Sequence, residues 1–324
     1  MITLRHLRYL EALAETGHFG RAAEAAGISQ PALSMQIREL ERQLGGALFE
    51  RRPSGLVITE LGQQVRARSG HILAAVRDLE EAATTRDGML SGALRIGIIP
   101  SLAPYLVPDL VALAAERYPR LKPTVRETVT RSLTAELVTG SLDVIVASLP
   151  LGVSELEERA AFEDRFLLAA PAASAHAKLK RASAERIQGD ELLLLEDGHC
   201  LRDQALAVCR SAGTQQMRSY GATSLATILH LVAAGQGVTL VPEIAADRSL
   251  RRDPRIALVR FALPEPHRTI GVAWRRSSPR RADFEALAEL VAEAGKAAMG
   301  KAGRQSENHE IRDAGHLWNP GSRP

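Results

Sequence analysis

Residues 19–44 read FGRAAEAAGISQPALSMQIRELERQL, and few local arrangements satisfy that order. Ala22, Ala23 and Ala26 are small enough to let two helices approach at a sharp angle. Gly27 permits the turn between them, and Ile28 is placed to plug the corner. Ser29 is a good N-cap for the second helix, and Pro31 falls in its first turn, where a missing N–H costs nothing. Leu33, Ile37, Leu40 and Leu44 then repeat at helical spacing as a buried stripe, leaving Gln30, Ser34, Gln36 and Arg38 able to face outward. A helix-turn-helix is expected. Its outward residues suit DNA, because amide side chains match adenine edges and arginine matches guanine or phosphate. Short polar residues decorating a solvated helix would look similar on one helix alone, and it is the matching turn that favours the DNA reading.

The flanks agree. Leu4, Leu7, Leu10 and Leu13 repeat at three, giving a first short amphipathic helix that Gly17 ends. Residues 49–59, FERRPSGLVIT, carry the turn residues and short apolar strand of a wing, with Arg51 and Arg52 placed to reach a sugar-phosphate backbone. Thr59 precedes a long helix whose apolar positions Leu61, Val65, Ile72, Val76, Leu79 and Ala83 lie close to three heptads of a coiled-coil seam. Pairing of two chains along that seam is expected. A helix packed against the chain's own downstream domain would show a similar stripe.

At Ser91-Gly92 the pattern changes. Residues 94–99, 143–147, 165–169, 192–195, 238–241 and 269–273 are short apolar runs, several separated by helical stretches. Such alternation indicates an α/β domain with parallel sheets covered on both faces. Ligands in these folds bind beyond the carboxyl ends of strands, near helix N-termini, where Ser101, His199 and Cys200 fall. From about Met299 the chain turns polar and irregular and reads as a mobile tail, with His309 and His316 solvated.

With 324 residues, 45% of them hydrophobic, the chain can bury substantial cores in two or three domains. No apolar run reaches the roughly 18 residues of a membrane span, so a cytoplasmic location with no membrane contact is expected. The net charge of +3 is too small to argue for a nucleic-acid partner by itself. Arg275, Arg276, Arg280 and Arg281 form a local cluster that reads as a solvated face, with a phosphate-binding patch as the alternative.

The two cysteines, Cys200 and Cys209, admit two readings. Free cysteines often act as small buried hydrophobes, and Cys209 beside Leu206 and Val208 fits that well. Cys200 does not. It follows the turn dipeptide Asp197-Gly198, so it should open a helix, whose N-terminus favours negative charge and a nucleophilic sulfur. If the segment is helical, the two sulfurs start roughly 13 Å apart along the axis, whereas a disulfide needs Cα atoms about 4.4 to 6.8 Å apart. Joining them would unwind the helix, so the pair reads as a redox switch. No C-x2-C pair or histidine spacing supports zinc, so no metal or cofactor is expected. An enzyme with Cys200 as nucleophile lacks any Ser-His-Asp order, metal site or phosphate loop to support it.

Taken together, residues 2–298 resemble a LysR-type transcriptional regulator: an N-terminal winged helix-turn-helix, a linker helix and a two-lobed, periplasmic-binding-protein-like effector domain. GHCLRDQA at 198–205 followed by Cys209, IPSLAPY at 99–105 and RTIG at 268–271 resemble the peroxide-sensing members of that family. The resemblance implies a DNA-binding domain at 1–59, a linker at 60–90, a regulatory domain at 91–298 and a tail at 299–324. Within the regulatory domain, lobe I would span about 91–164 and 268–298, and lobe II about 165–267. Cys200 would be the peroxidatic cysteine and Cys209 the resolving one. Ser101, Thr130, His199, Asp203 and Arg268 would line a peroxide pocket, with Ser101 standing where a threonine is expected. DNA would be held by Ser29, Gln30, Pro31, Ser34, Gln36, Arg38, Arg51 and Arg52. Implied partners are a double-stranded DNA operator, RNA polymerase, further copies of the chain in a homodimer or homotetramer, hydrogen peroxide as signal, and a thiol reductant such as glutaredoxin or thioredoxin. Met35, exposed in the recognition helix, bears on operator readout. The alternative is a LysR-type regulator that answers to a small metabolite and keeps its cysteines structural.

Overall fold

The computed structural model describes residues 1–53, 55–83, 88–187, 191–210, 217–219, 221–246 and 248–303. Most of the expected tail, with His309 and His316, lies outside these residues.

Three helices open the chain: α1 (Leu4–Thr16), α2 (Phe19–Ala25) and α3 (Gln30–Leu44). Thr3 and His6 cap α1 reciprocally, and Gly17 ends it at φ 61°, a conformation glycine adopts freely. Ser29 caps α3 by accepting the Ala32 N–H at 3.4 Å. Leu13, Ala22, Ala23, Leu33 and Ile37 form the small core, with Ile28 packed against it at the corner. Strands β1 (Phe49–Arg52) and β2 (Gly55–Ile58) pair antiparallel as the wing.

The long helix α4 (Glu60–Ala83) uses two faces. Gly62, Ser69, Gly70, Ala74 and Asp78 are buried, whereas Ile72 and Leu79 of the apolar seam are exposed. Gly62 packs on Leu48 and Ile58 of the N-terminal domain, whereas Gly70 lies so close to the regulatory domain that a Cβ there would sit 2.6 Å from the Thr139 Cβ. The seam is divided in the same way: its first positions, Leu61 and Val65, pack on the Leu10, Leu40 and Leu48 core of the N-terminal domain, and its later positions Ile72 and Leu79 stay exposed.

The remaining elements are β3 (Gly92–Ile98), α5 (Ala103–Arg117), β4 (Leu121–Glu127), α6 (Thr130–Val138), β5 (Val144–Leu149), β6 (Leu156–Pro171), β7 (Leu192–Leu194), α7 (Cys200–Arg210), β8 (Met217–Ser219), α8 (Leu225–Ala233), β9 (Thr239–Pro242), α9 (Arg248–Arg252), β10 (Ile256–Arg260), β11 (His267–Arg275) and α10 (Arg281–Gly303). All six apolar runs are strands or parts of strands. The expectation of wholly parallel sheets is corrected. β3 runs parallel to β4 and β5, and β7 to β8, but β6 is antiparallel to β9, β10 and β11, and β11 to β5. The cause is a strand shared by two sheets. The first part of β6 pairs with β11 in one sheet and its last part with β9 and β10 in another, so the chain that returns must run the opposite way.

Two cores follow from this topology. One gathers Ile96, Ile98, Leu106, Val146, Val272 and Phe284, and the other Phe166, Leu193, Leu206, Ile228, Leu240 and Val259. On β6, Phe162 belongs to the first core and Phe166 to the second. The result is a two-lobed, periplasmic-binding-protein-like domain. Among the described residues no helix is long and apolar enough to cross a membrane, and no group of potential metal ligands gathers.

The arginine cluster is split: Arg276 and Arg281 are exposed, as a solvated face requires, while Arg275 and Arg280 are buried. Arg275 is buried and donates to the Leu137 and Leu142 carbonyls and, at 2.9 Å, to Asp78 of α4. Arg280, also buried, pairs with Asp283 and donates to the Ala93 carbonyl. Exposed Arg276 reaches the Ser154 carbonyl, and exposed Arg281 pairs with Glu285. The burial of Arg275 and Arg280 is not visible in the local sequence, because Asp78, the Leu137 and Leu142 carbonyls and the Ala93 carbonyl lie far away in it.

Candidate functional site

β7 is buried throughout and ends at a turn in which Gly198 adopts φ 96°, a left-handed conformation that a side chain would resist. The His199 carbonyl then accepts the Arg202 N–H at 3.0 Å, and α7 begins with Cys200 as its first residue. Cys200 is a free thiol of intermediate exposure. It packs against the first lobe's core, while its neighbours Leu201, Ala205 and Leu206 are buried in the second. The sulfur therefore sits at the junction of the lobes.

Beside it lies a cavity of about 10 Å³ with apolar walls from Ile99, Pro100, Val129 and Leu201 and polar groups from Ser101, Thr130 and His199. Ser101 and His199 are buried. Thr130 opens α6, and its Oγ1 is buried without any hydrogen-bond partner. Such an orphaned hydroxyl costs roughly 1 to 3 kcal/mol.

Arg268 is not in the cavity wall but contacts it from behind through Ser101. Its Nη1 donates to Ser101 Oγ at 2.8 Å, while Nε and Nη2 donate to Asp164 Oδ2 at 3.0 and 2.9 Å. The other Asp164 oxygen accepts the Ile244 N–H at 3.0 Å. Arg268 and Asp164 are cross-strand partners on β11 and β6, and both are buried where the two lobes meet. Burial pushes the Asp164 carboxyl above its usual range, opposed by the Arg268 charge and the Ile244 amide. Sequence reasoning missed Asp164. A lone aspartate ahead of the apolar run at 165–169 gave no signal until its register opposite Arg268 was known.

Of the expected pocket residues, Ser101, Thr130, His199 and Cys200 come together, and Arg268 joins through Ser101. Asp203 does not. It is exposed on the first turn of α7 and lines no part of the cavity, because the turn that aims Cys200 at the first lobe aims Asp203 at solvent. Cys209 lies in the last turn of the same unbroken helix, Cys200–Arg210, so its Cα is roughly 13.5 Å from that of Cys200 by helical rise. A disulfide cannot span that gap without dismantling the helix.

At the other end of the molecule Gln30, Pro31, Arg38, Arg51 and Arg52 are exposed, as is the cap residue Ser29, while Ser34 and Gln36 are half-buried. Arg38 folds back on Ser34, donating to its hydroxyl at 3.3 Å and its carbonyl at 3.2 Å, so these two residues act as one unit. Arg51 stacks over Phe19 with its Cζ 5.8 Å from the ring centre, which holds the wing arginine against the start of α2. Arg52 is partly neutralised by Glu50 at 3.2 Å. Met35 is 58% exposed among these polar residues.

A winged helix-turn-helix joined through a helix to a two-lobed domain defines a class, and the comparisons agree with it. Residues 4–63 match the bacterial regulatory helix-turn-helix protein, lysR family, and residues 87–296 match the LysR substrate binding domain. The chain belongs to the LysR family of bacterial regulators. Within it, the chain is 39% identical over 290 residues to the DNA-binding transcriptional dual regulator OxyR of Escherichia coli, covering 90% of this chain and 95% of that one. It is 40% identical over 293 residues to a probable hydrogen peroxide-inducible genes activator of Streptomyces viridosporus, covering 90% and 94%. A full-length OxyR variant from Pseudomonas aeruginosa superposes with a TM-score of 0.75 at 34% identity, over 90% of this chain and 98% of that one. The oxidised form of Corynebacterium glutamicum OxyR superposes with a TM-score of 0.59 at 34% identity, over 94% and 96%.

Proposed function

We propose that this chain is a hydrogen peroxide-sensing, DNA-binding transcriptional regulator rather than an enzyme. The observation that carries the sensing is the cavity at Cys200, where a free thiol at a helix N-terminus faces a buried hydroxyl with no partner. The thiolate attacks one peroxide oxygen, the O–O bond breaks, and the departing hydroxide takes a proton to leave as water. Ser101, oriented by Arg268, and Thr130 bind the peroxide oxygens, and His199 steadies the sulfur's negative charge. The resulting sulfenic acid is attacked by the Cys209 thiol, an S–S bond forms, and a second water leaves. α7 unwinds, and the lobes that share it change their pairing with neighbouring copies.

A metabolite held beside Cys200 is disfavoured by size, since that cavity of about 10 Å³ is far below the roughly 300 to 1,000 Å³ of ordinary ligand pockets. Residues 1–59 serve as the DNA-binding domain, 60–90 as the linker and 91–298 as the regulatory domain, with the lobes dividing near 164 and 268. The exposed Ile72 and Leu79 of α4 support pairing of chains into a dimer and a tetramer built from dimers. RNA polymerase, a thiol reductant such as glutaredoxin or thioredoxin, and a cytoplasmic setting complete the reading. The test is direct: stoichiometric peroxide added to the reduced protein should yield a Cys200–Cys209 link by mass spectrometry, and its absence removes the sensor.

DNA binding carries its own expectation. Arg51→Ala should weaken binding to all sequences alike and reduce the slope of log affinity against log salt by about 0.9, one phosphate contact. Gln30→Ala should instead relax sequence preference, costing roughly 1 to 3 kcal/mol on the preferred site alone. Titrations of operator and random duplex across salt concentrations separate the two, and an Arg51→Ala variant with an unchanged slope would exclude the wing from the interface.

A further inference from the structure

α7 is held by both lobes at once. Leu201, Ala205 and Leu206 anchor it in the core of its own lobe. On the opposite side Cys200 packs on the first lobe, and Gln204, one turn further on, donates from Nε2 to Ser148 Oγ at 2.6 Å. Ser148 is buried near the end of β5, in the first lobe's sheet. The Gln204 Oε1 is also buried, and it has no partner. Residues i and i+4 share a helix face, so the sulfur and the amide look onto the first lobe together.

We infer that Gln204 is a positioning residue for the redox step, and that its bond to Ser148 latches α7 in the reduced, helical form and limits how readily Cys209 captures oxidised Cys200. The inference rests on the proposed peroxide-sensing function and adds a control to the same site. Gln204 lies between the two cysteines in sequence. Any unwinding that brings Cys209 to Cys200 therefore pulls the amide off Ser148. That bond is part-buried, with Ser148 on the buried side, so its loss is felt in both the rate and the equilibrium of disulfide formation. The orphaned Oε1 acts the other way, because its desolvation is relieved when the helix opens. The latch is thus a bond that holds with one atom of the amide and is strained at the other, suited to a switch that must release.

The first chemical step, attack of the Cys200 thiolate on peroxide with departure of water, does not involve the latch. The second step forms the S–S bond and releases water. In the reverse reaction two glutathione thiols reduce the disulfide and leave as glutathione disulfide.

The test uses full-length wild type, Ser148→Ala, Gln204→Leu and the double variant, all starting reduced. Sulfenic acid formation is timed by dimedone trapping, disulfide capture by rapid acid quench and mass spectrometry, and the equilibrium by titration with glutathione and glutathione disulfide. Sulfenic acid formation should stay within about two-fold of wild type. Capture should quicken, and the equilibrium shift toward the disulfide, by about five-fold, the net worth of one hydrogen bond. The double variant should match Gln204→Leu, since without the amide Ser148 has no latch to lose, and Ser148→Ala, which leaves both amide atoms buried without partners, should show the largest effect. Ser148→Thr, which keeps the hydroxyl, should restore wild-type behaviour and covers the case in which Gln204→Leu fails to fold. Capture and equilibrium unchanged in Ser148→Ala, or effects that add in the double variant, would overturn the latch while leaving peroxide sensing intact. A wild type that forms no Cys200–Cys209 link overturns the sensing itself, and the latch with it.

Discussion

Cys200→Ser is expected to abolish the response to peroxide completely, leaving DNA binding and transcription at their untreated levels at any dose that spares the rest of the chain. Serine keeps the size, the helix-opening position and a polar atom beside Thr130, so the fold and the cavity survive. What it loses is the atom that peroxide oxidises, since only a thiolate is nucleophilic enough to open the O–O bond. Cys209→Ser should separate the two steps. It should gain one oxygen at Cys200, trapped as sulfenic acid, yet form no internal disulfide. Intact mass and dimedone labelling read the first step, and transcription from an operator template reads the consequence. A Cys200→Ser protein that still answers peroxide would show that this cavity is not where the signal enters.

Arg268→Met should have the largest effect on stability. It strips the counter-charge from Asp164, which is wholly inaccessible to solvent, and breaking a buried pair from one side costs about 3 to 5 kcal/mol. At about 2 to 4 °C of unfolding temperature per kcal/mol for a domain of this size, a fall of roughly 6 to 20 °C is expected. The sign of its pH dependence is fixed by burial. Burial already pushes the Asp164 carboxyl up, and loss of Arg268 removes the first of the forces holding it down. A carboxyl raised in the folded state contributes stability below its unfolded value, and loses that contribution as pH rises through the folded one. The defect of Arg268→Met should therefore shrink on acidification and be largest at neutral pH and above. Asp164→Asn combined with Arg268→Met should recover much of the loss, because the uncompensated charge is gone. Thermal unfolding from pH 5 to 8 checks both points, and a defect that is flat with pH would mean that packing, not charge, holds the lobe junction. Peroxide reactivity should fall as well, since Ser101 loses the donor that orients it.

Local patterns were legible wherever neighbours in sequence are also neighbours in space. The turn at Gly27, the cap at Ser29, the wing at residues 49–58 and the turn that presents Cys200 all follow from residues within a few positions of one another. The strand positions were legible too, but their direction was not. The apolar second half of β6 was visible as residues 165–169, whereas its first half alternates with charge and reads as surface. Only pairing with β11 makes it one long strand shared by two sheets.

Charges were read least well. Arg275 and Arg280 look like solvent-facing cations in the chain and are buried cations in the fold, because Asp78 and Asp283 neutralise them. Asp203 was a pocket residue only by the family resemblance, and the helical turn carries it to solvent. Asp164 and Gln204 carried no local signal at all, and each owes its meaning to a partner on another element.

What the amino-acid order determined alone was the winged helix-turn-helix, the approximate strands and the two sulfurs on one helix, too far apart to bond. These depend on backbone preference and helical or strand period, which act over a few residues. The tertiary structure alone decided that Cys200 rests on one lobe while its helix is rooted in the other, and that Arg268 reaches it through Ser101. Such relations depend on which distant segments come to share a desolvated junction, where an unpaired charge or an orphaned hydroxyl is costly enough to matter.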